Sequence, residues 1–460
     1  MTSHRFLQIF VASGIAFQAS TAQTPPAVPL TVGDAVALVL SRNPALVESG
    51  HDIDAARARA AQSRSGYLPS AEAEATYVLL APVSVFDLPG ESIKVFPYNN
   101  YDGHIGVRQT VYDFQKTSAA VGLADSRVAI AEDSREAVKR DLAVRSAETF
   151  YAILFLRRSI EVQNEQVRTL QEHLAIAHRK AEAGTATLLD ELTTQVRVAA
   201  AQNVKIGLEN SLRSAEITLR RLAVLPSDAP LQLRGEFPPA AIPPARDSLL
   251  AAAFAGRIEA RGAEDALVSA RAQQRAAGAN DAPSLNASLL YGVKNGYIPN
   301  LDILRGNLVG MLDLRIPIFD GSRTRSMEEE ATAALHAAES RKQGVTLMIQ
   351  AEVDQALSEL TAAGERVSIS ETNINQADLA VKNARLRYNA GSISNLDLLD
   401  AETAVAQARL TNLQALYDVV TGTIRLRRAT GSPVAGQLRK FDPWTDGRMT
   451  GRQSGRGVSA

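Results

Sequence analysis

A long internal duplication constrains this chain more than any other feature. Around Gly184 the sequence reads Ala181, Glu182, Ala183, Gly184, Thr185, and around Gly391 it reads Tyr388, Asn389, Ala390, Gly391, Ser392, an offset of 207 residues. The same offset links Tyr112 and Asp113 to Phe319 and Asp320, Asp190 to Asp397, and Arg220 and Arg221 to Arg427 and Arg428. About a hundred residues stay in register without a gap, so one long unit occurs twice. Before Gly391, Val367, Ser370, Ile374, Ala377, Val381, Ala384 and Tyr388 alternate spacings of three and four; after it Leu396, Leu399, Thr403, Ala406, Leu410 and Leu413 do the same. The first copy keeps the frame through Val167, Leu170, Leu174, Ala177 and Ala181, then Leu189, Leu192, Val196 and Ala199. This spacing predicts coiled-coil seams. Each glycine ends a helix at the tip of an antiparallel hairpin, where a left-handed turn suits it.

Composition points the same way. Of 460 residues only 5% are aromatic, too few for several bulky cores but enough for long helices packed through small side chains. A net charge of -1 gives no reason to expect nucleic-acid binding. With no cysteine there is no disulfide, thiolate chemistry or lipid attachment site. Residues 1–22 read as a secretory signal, with Arg5, an apolar stretch from Phe6 to Phe17, and Ser20 and Ala22 before the cut; a buried first helix is the other reading. No later run of about 18 apolar residues suggests a membrane helix.

Along the chain, residues 23–225 form a first repeat and 247–431 a second, joined by a proline-rich linker at 226–246. The first repeat is expected to hold two helices within 30–65, broken at Asn43 and Pro44, strands at 71–80 and 101–112, and a helical hairpin over 113–225. Residues 81–100, with Pro82, Pro89, Gly90 and Pro97, read as a long exposed loop. The second repeat is expected to hold a helix at 248–276, strands at 284–293 and 307–319, and a hairpin over 320–431. Residues 432–460, with Trp444, read as a tail that is partly disordered. Each strand is long enough to span a membrane, yet four cannot close a barrel, whose known single-chain minimum is about eight. Either copies of the chain pool their strands or the strands form a small sheet outside the membrane.

Leu30 to Pro44, the approach Tyr67, Leu68, Pro69, and the tip residues Arg387, Tyr388, Gly391, Leu396, Asp397, Leu399 and Asp400 carry a family resemblance. The chain resembles the outer-membrane efflux proteins of the TolC type over nearly all of its mature length. The resemblance implies an α+β fold in which a long α-helical coiled-coil barrel continues a transmembrane β-barrel. It implies a homotrimer with four strands per chain and twelve in all. It also implies an exit duct of a tripartite efflux or type I secretion system, in the outer membrane with a large periplasmic part, served by a periplasmic adaptor and an inner-membrane pump. One departure is Arg257 and Ile258 where relatives commonly carry arginine and proline, which implies a softer bend.

No catalytic constellation, phosphate-binding loop or metal-ligand spacing is visible; His173 and His178, five apart, lie on different helix faces. No cofactor is expected, and the chain reads as a conduit without its own chemistry. By resemblance, Asp397, Asp400, Asp190 and Tyr388 line a gate at the narrow periplasmic end, while Gly184, Thr185, Gly391 and Ser392 form adaptor-docking tips. Six carboxylates from Asp397 and Asp400 of three copies would attract cations. Plainer alternatives stay open: two aspartates on a solvated helix face, a space-filling Tyr388, and glycines that only end helices. Tyr388 replaces the first copy's Ala181, so the second hairpin is expected to be the one that moves. His104, Arg108, Asp313 and Arg315 hint at a polar lumen. The alternative function is a periplasmic coiled-coil scaffold or adaptor without a pore.

Overall fold

In the computed structural model, residues 29–239 and 243–433 are described; the expected signal segment and the tail with Trp444 lie outside them. Two helices of 67 residues, α3 (Lys116–Glu182) and α7 (Arg323–Asn389), are the spines of the two repeats. At a rise of about 1.5 Å per residue each spans roughly 100 Å. Shorter helices stack end to end along each spine: α1 (Val32–Arg42), α2 (Pro44–Arg64) and α4 (Leu188–Leu222) on α3, and α5 (Arg246–Gly256), α6 (Ile258–Gly278) and α8 (Asn395–Ala429) on α7. The described residues include no helix long and apolar enough to cross a membrane.

The duplication has two offsets. Helices α3 and α7 begin 207 residues apart, as do α4 and α8, but α1 and α5 begin at 32 and 246, and strands β1 (Ser70–Leu79) and β5 (Ser284–Lys294) at 70 and 284, an offset of 214. The first copy therefore carries seven more residues between its strands. They belong to a segment that the sequence predicts to be a loop and that contains a hairpin of its own, β2 (Val85–Leu88) and β3 (Glu91–Lys94), turned at Gly90 with φ 99°. The single helix expected over 248–276 is two. Arg257 adopts φ -78° and ψ 133°, nearly the geometry of Asn43 between α1 and α2 (φ -68°, ψ 125°). The bend is thus kept without proline. Arg257 holds it: its buried guanidinium pairs with Glu259 at 3.0 Å and reaches Glu352 on α7.

Local chemistry explains where the spines begin and end. Before α3, Phe114 and Gln115 turn left-handed, and Asp113 accepts from the Thr117 N–H at 2.7 Å; before α7, Gly321 and Ser322 turn likewise and Asp320 accepts from the Thr324 N–H at 2.8 Å. The repeated aspartate is a helix cap. At the far ends Gly184 (φ 70°) and Gly391 (φ 74°) close the hairpins with the paired hydrogen bonds of a Schellman turn.

A four-stranded antiparallel sheet sits at the opposite end, in the order β1, β4 (Asn99–Tyr112), β5, β6 (Arg305–Arg315). The strand expected to reach residue 319 stops at Arg315, short of Pro317, which has no N–H for a ladder. Ala73, Ile105, Tyr291 and Leu308 form one cross-strand row. On this face Ile105, Tyr291 and Leu308 are 62, 67 and 66% exposed. The other face carries Glu72, Glu74, His104, Arg108, Asn286, Asn307, Asp313 and Arg315. Its side chains interact: Glu74 lies 3.7 Å from His104, His104 3.3 Å from Asp102, and Asp102 3.3 Å from Lys294. The outer edges of β1 and β6 have no partner strand among the described residues.

The helical core lies where the repeats meet. Val32, Ala35 and Val36 of α1 pack with Val144, Ala147, Phe150 and Leu154 of α3 and with Val420 and Ile424 of α8. Leu249, Ile349, Val353, Leu360 and Val419 fill the counterpart in the second repeat. One expected seam is corrected. Leu189, Leu192, Val196 and Ala199 of α4 are exposed; the side that α4 buries carries Thr194, Val198 and Ala201 instead. The helix is apolar on two faces, and spacing alone cannot say which one meets α3.

Candidate functional site: the tips of the two hairpins

The tips inherit their shape from two matching helix starts. Thr187 caps α4 and Ser394 caps α8, and each closes a capping box with the third residue on. Asp190 accepts from the Thr187 N–H at 3.0 Å and its hydroxyl at 2.7 Å; Asp397 accepts from the Ser394 N–H at 3.0 Å and its hydroxyl at 2.7 Å. The Ser394 hydroxyl and N–H hold the Asp397 carboxyl below its ordinary range, and Arg387 adds to this. Both aspartates therefore have a structural task at the helix start.

Asp400 is different. It accepts from the Arg197 guanidinium at 2.9 Å, an ion pair from α8 of the second hairpin to α4 of the first. Tyr388, at the foot of α7, lies under Lys180 (4.1 Å to the ring centre) and against His173 (5.3 Å between rings). Its burial pushes the phenol pKa up, and the charge of Asp190 adds to this. Of the residues singled out from sequence, Tyr388 and Asp190 are thus brought together, while Asp400 finds Arg197 and Asp397 its own cap. Gly184, Thr185, Gly391 and Ser392 make the exposed turns, with Thr185 and Ser392 donating to the Lys180 and Arg387 carbonyls at 2.8 and 2.9 Å.

Between these turns lies a buried polar cluster that sequence reasoning missed. His173 of α3 and Asn395, the first residue of α8, meet at 2.6 Å, and both are more than nine-tenths buried. The Asn395 amide nitrogen donates to the Asp190 carbonyl at 3.1 Å and the Thr194 hydroxyl at 3.2 Å, so its oxygen accepts from the His173 Nε2–H. Glu402, also buried, takes one ion pair from Arg385 at 3.3 Å, and its other oxygen has no hydrogen-bond partner. Burial raises the pKa of its carboxyl, against the pull of His173 and Arg385. Beside the cluster Leu399 is fully buried among Leu170, Val198 and Ala201 of the first hairpin, a contact worth on the order of 2 kcal/mol.

A sequence signal for these residues does exist. At the offset of 207, His173 pairs with Ala380, Asn395 with Leu188, Glu402 with Gln195, Asp400 with Thr193, Arg197 with Ala404 and Tyr388 with Ala181. The contacts between hairpins are made largely where the two copies disagree. No group of three or more metal-ligating side chains occurs among the described residues.

With this geometry in view, the comparisons with known proteins agree. The family described as Outer membrane efflux protein matches residues 35–223 and 249–432, and the chain belongs to that family. It is an outer-membrane export channel with a periplasmic part. Among its relatives, the alkaline protease secretion protein AprF of Pseudomonas aeruginosa is 26% identical over 342 residues, covering 73% of this chain and 70% of AprF. The proteases secretion protein PrtF of Dickeya chrysanthemi is 22% identical over 431 residues, covering 89% and 90%. In fold, the outer membrane protein VceC of Vibrio cholerae matches with a TM-score of 0.74 at 18% identity, over 88% of this chain and 96% of VceC.

Proposed function

We propose that three copies of this chain form the exit duct of a tripartite export system, each contributing four strands to a twelve-stranded transmembrane barrel and two hairpins to a periplasmic tunnel. The sheet carries the reading: one face apolar and exposed, the other polar and charged, and two edges without partners among the described residues. An open sheet in lipid would leave edge groups unpaired at several kcal/mol each, and closure with neighbouring copies removes both edges. The helices make the same demand. Leu399 is buried against the first hairpin, but its repeat equivalent Leu192 is exposed beside Leu189 and Val196, and Leu379 and Leu386 are exposed on α7. A ring of six hairpins covers these faces with a second copy. The scaffold reading, without a pore, leaves the apolar sheet face unexplained.

The names of relatives such as AprF and PrtF concern protease secretion. We infer partners of the same kind: an inner-membrane pump that selects the cargo and a periplasmic adaptor that docks on the turns at Gly184, Thr185, Gly391 and Ser392. The duct itself is a conduit without catalytic chemistry. Asp397, Asp400, Asp190 and Tyr388 gate its narrow end, the second hairpin moving against the first. Asp400 is the cleanest member to test, because substituting Asp397 also removes a helix cap. Purified protein in a planar bilayer should give a small, cation-selective conductance that rises in Asp400→Asn and rises further when Asp397→Asn is added. Conductance unchanged in both would count against the gate.

A further inference from the structure

We propose that His173 and Asn395 are positioning residues of the tip, their buried hydrogen bond pinning the second hairpin to the first so that the duct opens only when that bond is released. The proposal rests on the reading of the tips as a gate and names a link within it. Neither residue is needed to build a hairpin. The first copy manages the Asn395 position with an exposed Leu188, and the second manages the His173 position with an exposed Ala380. A buried polar pair in a helical seam costs stability relative to leucine, and its use is to fix one register over others.

The geometry suits that task. Asn395 spends its oxygen on His173 at 2.6 Å and its nitrogen on the Asp190 carbonyl and the Thr194 hydroxyl, so one side chain ties α8 to both helices of the first hairpin. It sits at the first turn of α8, between the capped turn at Ser394 and the buried Leu399. Swinging the second hairpin outward separates these groups, and the three hydrogen bonds of Asn395 are lost together. The charged groups around the pin come from every neighbouring helix: Glu172 and Lys180 on α3, Asp190 on α4, Arg385 on α7 and Glu402 on α8.

The test is bilayer conductance of the full-length protein, with its mass in detergent measured in parallel. His173→Leu and Asn395→Leu keep apolar bulk and remove the link; His173→Leu should raise conductance about tenfold, the scale of one buried hydrogen bond, and Asn395→Leu, which also loses the bonds to α4, at least as much. The double variant should do no more than Asn395→Leu alone, because the one bond that His173→Leu removes is among those already lost with Asn395. His173→Gln, which returns an N–H near the position of Nε2, should restore the low conductance of the unmodified chain. Leucine variants of unchanged mass and unchanged conductance overturn the proposal. Should they fail to assemble, His173→Phe decides: it keeps a ring in the same space and removes the N–H donor to Asn395, and an unraised conductance in that variant overturns the pin as well. Asp400→Asn separates the two levels. A rise there without one in the His173 and Asn395 variants removes the pin and leaves the gate; no rise in any of them removes both.

Discussion

At the scale of the residue, single backbone choices decide where each long helix ends. All four long helices close with the same pair of hydrogen bonds around one left-handed residue, at Gly184, Val224, Gly391 and Gly431. Val224, at φ 52°, is the member that is not glycine, and a β-branched side chain there is strained by about 1–2 kcal/mol. Val224→Gly is therefore expected to raise thermal stability by up to roughly 1 kcal/mol, since the exposed side chain gives up little packing. Gly431→Ala should do the reverse, because a Cβ there would lie 2.4 Å from the Gly256 carbonyl carbon. The two glycine tips were legible in the sequence because glycine advertises a left-handed turn; Val224 hid the same turn. Glu402 gives a pH signature. Burial raises its pKa above the ordinary 4.5 in the folded chain, so its protonated form favours the fold. That contribution is complete below the unfolded value and is lost as pH rises through the folded one. Glu402→Gln, a neutral mimic, should raise the melting temperature at neutral pH and leave it nearly unchanged below pH 4.5. An equal gain at both would assign the effect to packing.

At the scale of the element, the two copies differ where a local signal is weak. The break before α2 was readable from Asn43 and Pro44, whereas the equivalent break before α6 is made by a buried arginine with two carboxylate partners. Nothing in the periodicity of 248–276 shows it, because tertiary ion pairs and not backbone propensity stop the helix. Since Arg257 already has the extended geometry that precedes proline, Ile258→Pro should fold with a cost of no more than about 2 kcal/mol, mostly lost packing of Ile258. Proline at Ala253, inside α5, should cost about 3 kcal/mol or more. Circular dichroism melts of the two variants separate these outcomes. The β2–β3 hairpin was read as a loop because Pro82, Pro89 and Pro97 dominate its composition and its strands are four residues each. It forms a two-stranded sheet of its own, apart from the four-stranded sheet, so replacing it with a short polar turn should leave tip conductance unchanged.

At the scale of the whole molecule, the four strands of the main sheet and the length of the helices were legible in the sequence, while the β2–β3 hairpin was not. What the sequence did not show is how each hairpin divides its apolar surface. The Leu189, Leu192, Val196 stripe has ideal seam spacing yet points away from α3, because α4 has one face for its own hairpin and another left over. The contacts at the tip were equally hidden, since His173, Arg197, Asn395 and Glu402 are remote in sequence and adjacent only after two hairpins have docked. In the proposed duct the exposed α4 stripe is covered by a neighbouring copy. The mass of the purified protein in detergent, with detergent mass subtracted, reads this directly. The proposed duct predicts three copies of the chain, and adding aspartate at Leu192 and Val196 should shift that mass towards one copy. A particle of one copy that stays soluble without detergent would contradict the duct, because its sheet edges and apolar face would then have no need of a neighbour.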